Sequence, residues 1–152
     1  AGRPMLARGA GVRPAVPEQP LKEGPSAEEL TIPTDVLQAA SSTKLVSLVQ
    51  QSQSHRISVT EAFENLFEHL VTGGRADEYA ALCDRFKARF DVITGNLEGA
   101  AARLATAEPA LAAMVRSVNV DEAKRLDLQM ELQVVRQRLS LAEAGSDDAV
   151  GG

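Results

Sequence analysis

An all-α fold, three long antiparallel amphipathic helices forming a coiled-coil-like bundle, is predicted by three observations. The core palette is almost free of aromatics, which make up 3% of the chain, with no Trp. Apolar residues recur every three or four positions from Leu45 to Ala142. Turn signals stand at two internal places, Gly73-Gly74 and Glu108-Pro109, and a third stands at Gly145. Leu, Val and Ala dominate the 44% of hydrophobic residues, a composition suited to helices and not to sheets. A chain of 152 residues is the size of one domain and hides roughly two-thirds of its unfolded surface, enough for a core.

The first helix is predicted over residues 34–72. Thr34, after Pro33, is placed to cap it, and Asp35 sits at the positive end of the helix dipole. Gly73-Gly74 ends it. Between them Leu45, Val49, Ser52, Arg56, Val59, Phe63, Leu66 and Leu70 alternate steps of four and three, the seam of a helix that packs along its whole length. The Gln- and Ser-rich residues 50–54 are its weakest stretch, so a break would fall near Ser58.

The second helix is predicted over residues 77–107, with Tyr79, Leu82, Phe86, Phe90, Ile93, Leu97, Ala100 and Leu104 on one face. Gly95 and Gly99 lie one turn apart and each weakens the helix by up to about 1 kcal/mol relative to Ala. Close approach of a neighbouring helix and simple tolerance both account for them. A phosphate loop does not, because no strand precedes them.

The third helix is predicted over residues 109–143. Pro109 fits a first turn and Glu108 favours the dipole. Leu111, Val115 and Val118 begin a seam that Leu128, Leu132, Val135, Leu139 and Ala142 continue, with Asp121 and Arg125 in the same frame. Gly145 is the expected stop, followed by a flexible acidic tail over residues 144–152. Short turns make consecutive helices antiparallel neighbours. Counting from those turns brings Arg56, Asp91, Asp121 and Glu122 to one height. A polar layer is expected there, with Arg56 paired to at least one of the acids and fixing register more than adding stability.

Six of seven prolines fall in residues 1–33, which therefore read as an extended arm. Residues 1–17 hold Arg3, Arg8 and Arg13 and no acid, which suits a processed targeting remnant or an arm that lies on an acidic partner. Val36, Leu37 and Ala40 are expected to form an exposed apolar stripe beyond the reach of the second helix, a second place for partner contact.

Charge and chemistry narrow the function. The net charge of −5 divides as 0 over residues 1–33, −3 over 34–144 and −2 over 145–152. A protein that holds phosphates by charge carries a basic stripe; the local cluster Arg85, Lys87 and Arg89 reads as a solvated face, so direct nucleic-acid binding is disfavoured. Cys83 is the sole cysteine, which excludes an internal disulfide and fits a reducing compartment. His55 and His69 are about 21 Å apart along one helix and cannot share a metal. Acidic pairs such as Glu61 with Glu64 are ordinary surface residues. No catalytic residue, cofactor, metal site or membrane-spanning segment is expected.

Glu78-Tyr79-Ala80-Ala81-Leu82-Cys83, then Phe86 to Asn96, Met114-Val115-Arg116-Ser117-Val118, Glu122 to Leu128 and Gln133-Val134-Val135-Arg136 follow one another in a helical frame. This succession, over about residues 45–138, resembles the required-for-excision 1-B domain family, small helical eukaryotic proteins linked by name to DNA excision repair. The resemblance implies an accessory protein without catalytic residues, acting through protein contacts in the nucleus or cytoplasm. A mitochondrial or ciliary assembly is the alternative setting. The expected activity is that of an adaptor subunit whose partners are other protein subunits, with a homodimer as one variant. The runner-up is an excision-repair accessory factor.

Overall fold

The computed structural model describes residues 22–151, with side chains described as far as residue 145. The contacts expected of Arg3, Arg8 and Arg13 lie outside the described residues. The architecture is all-α: short helices α1 (Ala27–Leu30) and α2 (Thr34–Ala39) precede three long ones, α3 (Ser42–Thr72), α4 (Tyr79–Leu104) and α5 (Pro109–Gly151). A 3-10 turn, Ala76–Glu78, leads into α4.

α3 and α4 form an antiparallel hairpin. Gly74 makes the turn with φ of 69°, a left-handed conformation that costs a glycine nothing, and Arg75 N–H closes it on the carbonyl of Leu70 at 2.9 Å. The hairpin buries the two apolar faces against each other. Phe63 stacks on Phe86 at 5.2 Å and meets Phe90 edge-on at 6.2 Å, while Phe67 meets Tyr79 edge-on at 5.6 Å. Val59, Phe63, Phe86, Ile93, Leu97 and Leu104 are fully buried along this interface. Each such side chain contributes about 1.5–3 kcal/mol on leaving water.

The first long helix departs from the expected span of residues 34–72. It breaks at Ala40, whose extended backbone (ψ 139°) separates α2 from α3, and Ser41 caps the new helix by accepting from Lys44 N–H at 3.1 Å. Thr34 is the first residue of α2 and caps nothing; Pro33 holds the cap position without a side-chain bond. No break occurs near Ser58. Residues 23–33 are likewise more than an extended arm. Ser26 and Glu29 form a reciprocal capping box that starts α1, a Ser-x-x-Glu signal present in the sequence.

Together, residues 22–40 make a strap across α4. Asn96, 7% exposed, clamps it: its Nδ2 donates to the carbonyl of Leu30 at 2.8 Å, and its Oδ1 accepts from Ile32 N–H at 3.2 Å. Arg103 donates to the carbonyls of Leu37 (3.3 Å) and Gln38 (2.8 Å), satisfying the end of α2. Gly99 lets the strap come close, since a Cβ there would sit 2.8 Å from Leu37 Cδ1. Gly95 faces open space.

α5 leans on the other flank of α4, with less contact to α3. It begins at Pro109 as the sequence suggests, but it does not stop at Gly145 and runs on to Gly151. One glycine costs about 1 kcal/mol, too little to end an established helix without a turn-forming successor. Residues 144–151 are thus helical, not an irregular tail. At 43 residues α5 is about 64 Å long, against about 39 Å for the 26 residues of α4.

Candidate interaction face and buried polar layer

The polar layer begins with Arg56, which is 4% exposed inside the α3 seam. Its Nη1 donates to Gln53 Oε1 at 2.9 Å, and its Nη2 donates to Asn119 Oδ1 at 2.8 Å and Thr94 Oγ1 at 3.2 Å. Asn119 in turn donates to the carbonyl of Thr94 at 3.3 Å, so one guanidinium ties all three long helices together. The expected pairing with an acid is not what the structure holds. Among the described residues no carboxylate forms an ion pair with Arg56. Asp91 and Asp121 are exposed, and Glu122, half-buried, pairs with Arg125 at 3.6 Å. Burial pushes the Arg56 pKa down, and the negative field of Glu122 offsets part of that.

The physical reason is the rotation of α5. Asn119, Leu126, Met130 and Gln133 turn inward, and Asp121, two residues from Asn119, points about 160° away. Beside Arg56 a cleft of about 150 Å³ opens between Thr60, Phe90, Asp91, Thr94 and Glu122. Its lining mixes charges of both signs, Arg56 and Arg125 with Asp91 and Glu122.

At the opposite end Tyr79 donates its hydroxyl to Gln133 Oε1 at 2.8 Å, and burial raises its pKa well above the ordinary phenol value. Cys83, half-buried one turn on, also has its pKa raised by burial, which leaves it a poor thiolate. Arg136 closes this end with a two-pronged pair to Glu68, its Nη2 at 2.9 Å from Oε2, and lies over the Phe67 ring at 5.3 Å. His55 and His69 stand apart on α3, and among the described residues no three His, Cys, Asp or Glu side chains could hold a metal.

Arg85 and Arg89 are not simply a solvated face. One turn apart, both donate to Glu23 of the strap, at 3.3 and 3.0 Å, and Arg89 lies 4.5 Å from the Phe86 ring centre. Burial alone would raise the Glu23 pKa, but hydrogen bonds from Arg89 and Arg85 hold it below the ordinary carboxylate value.

The apolar stripe expected at Val36, Leu37 and Ala40 is not a free surface. Leu37 is buried against Gly99 and Ala40 is half-buried; Val36 alone is exposed. The chain turns at Ala40 and lays α2 on α4 where a straight helix would have carried these residues past the hairpin. The exposed apolar stripe is elsewhere. Leu128, Leu132, Val135 and Leu139, expected inside, are 60%, 64%, 44% and 59% exposed on the outer face of α5.

The family model for DNA repair REX1-B matches residues 44–136. The chain belongs to that family. No curated protein and no solved structure matches it. The matched stretch of this REX1-B chain runs from the first turns of α3 to Arg136, the last α5 residue bonded to the hairpin among the described residues. The strap before it and residues 137–151 after it lie outside the match. Gln53, Thr94, Asn96 and Asn119, which build the REX1-B layer and clamp, carry no motif that a sequence could announce. Among the described residues no helix is long and apolar enough to cross a membrane.

Proposed function

We propose that this chain is a non-catalytic adaptor in DNA excision repair, binding other proteins through the outer face of α5. The observation that carries the reading is the row Leu128, Leu132, Val135 and Leu139, held toward solvent on a helix that outruns its own bundle. Contiguous apolar surface of this kind marks interaction sites on soluble proteins. Membership of the DNA repair REX1-B family supports the setting, and the −3 charge of residues 34–144 favours protein over phosphate partners.

The test is removal of ultraviolet photoproducts in cells whose own copy carries Leu132→Asp and Leu139→Asp. Repair should slow while the amount of the chain stays unchanged, and repair proteins that co-purify with the wild type should be lost. Normal repair with an unchanged set of co-purifying proteins would overturn the reading.

A further inference from the structure

The outer face of α5 has a pattern of its own. Leu128, Leu132, Val135, Leu139 and Ala142 recur at steps of four, three, four and three, the seam of a two-stranded coiled coil. Leu128, Val135, Leu139 and Ala142 lie on the side of α5 opposite to Leu126, Met130 and Gln133, which face the hairpin, and Leu132, 64% exposed, stands at the edge of that side, above a cleft it shares with Phe67 and Glu68. A second helix can therefore lie along the seam without displacing any element of the bundle.

The charges beside the seam say which helix. Glu131 and Arg138 flank the same edge seven residues apart, are both exposed, and among the described residues neither takes part in an ion pair. Set a second copy of α5 antiparallel, with Leu132 of one copy opposite Val135 of the other. Leu128 then meets Leu139, Arg125 meets the small Ala142, and Glu131 meets Arg138 twice, once on each side of the two-fold axis. A parallel pair would instead set Arg125 against Arg125 and Asp121 against Asp121 inside the seam. It would also ask Arg136 to leave Glu68.

We infer that the outer face of α5 is the interface of an antiparallel homodimer centred between Gln133 and Val134. The inference rests on the same surface as the proposed adaptor role and names its first occupant. The four large side chains expose on the order of 300 Å². Doubled, and with the stems of Arg125, Glu131 and Arg138 added, the buried area comes to roughly 1,000 Å², the lower end of specific interfaces, so the dimer should have a dissociation constant on the order of micromolar. Helix ends beyond Ala142 would lie along the first half of the partner's α5.

Sedimentation of the purified full chain across concentrations tests this without any other protein. The expected result is a monomer–dimer equilibrium in the micromolar range. Leu132→Asp with Leu139→Asp, both at exposed positions, should leave helical content unchanged and the chain monomeric. Glu131→Arg alone, or Arg138→Glu alone, should weaken the dimer roughly fivefold to tenfold by setting like charges together. The double exchange should restore it, whereas in a parallel pair it would weaken association further, because the cation introduced in place of Glu131 would face Arg136. A monomer at concentrations well above micromolar overturns the homodimer while leaving the adaptor reading to its cellular test. So does a dimer indifferent to the aspartates, or a double exchange that fails to restore pairing.

Discussion

Arg56 offers the sharpest test of how the three helices are held in register. It is 4% exposed and holds its charge with neutral partners, Gln53, Thr94 and Asn119. Hydrogen bonds from a charged donor contribute about 1.5–3 kcal/mol each, but burying a guanidinium without a carboxylate costs several kcal/mol, so the two sides nearly cancel. Arg56→Ala removes the bonds, strands Asn119 Oδ1 and leaves a cavity, which together should cost about 3–4 kcal/mol. Arg56→Met keeps most of the stem volume and strands only Asn119, for about 1–2 kcal/mol. Arg56→Met with Asn119→Leu strands neither and should fall within about 1 kcal/mol of the wild type. Urea unfolding followed by far-ultraviolet circular dichroism measures all three. A double variant as unstable as Arg56→Ala would show that the charge itself stabilises the bundle and would refute the assignment of the layer to register.

Three further outcomes follow from the strap and the turns. Gly95→Ala faces open space and should stabilise the chain by up to about 1 kcal/mol in thermal unfolding, while Gly99→Ala should gain less, because its Cβ must displace Leu37 Cδ1. Asn96→Ala breaks both clamp bonds, and hydrogen exchange at the Ile32 amide should speed up by an amount equivalent to about 2–3 kcal/mol, with the α3–α4 core protected as before. Glu23 and Glu68 both titrate below 4.5 when folded, so their contribution is complete above about pH 4.5 and is lost as pH falls through their lower native values. Exchange measured from neutral pH downward should therefore show the strap loosening only in acid, and an onset near neutrality would disprove the role of Glu23.

The seam of α4 is legible because its positions Leu82, Phe86, Phe90, Ile93, Leu97 and Leu104 are all apolar and buried, while the buried polar residues of the same helix, Arg89 and Asn96, bond to the strap. The α3 seam is legible too, Arg56 included, since its period survives two polar steps, Ser52 and Arg56, both of them buried. α5 is not. Its inward positions include Asn119 and Gln133, whose polar groups meet Arg56 and Tyr79. A periodicity argument that sends leucines inward cannot know that those bonds exist. The height of the polar layer is therefore legible through Arg56 while its partners are not, because Asp121 and Asn119 differ by most of half a turn. The strap is hidden for another reason: proline density suggests an extended arm, and only Ser26 with Glu29 marks the short helix that docks.

The two faces of α5 divide the labour of the chain, and truncation can separate them. Residues 137–151 amount to about 22 Å of helix beyond the last bond to the hairpin. An isolated segment of that length is at the margin of helical stability in water, and its described side chains, from Gln137 to Gly145, are mostly exposed and contribute little to folding. Ending the chain after Gln137 keeps the Tyr79–Gln133 bond and the Arg136–Glu68 pair, so the unfolding midpoint should move by no more than a few degrees. The same cut removes Leu139 and Ala142, two of the five seam positions, together with the flanking Arg138, and should abolish self-association. A truncated chain that still dimerises would place the contact elsewhere. One that unfolds would mean that the outer residues serve the bundle itself, and the apolar stripe would lose its meaning as a surface kept for a partner.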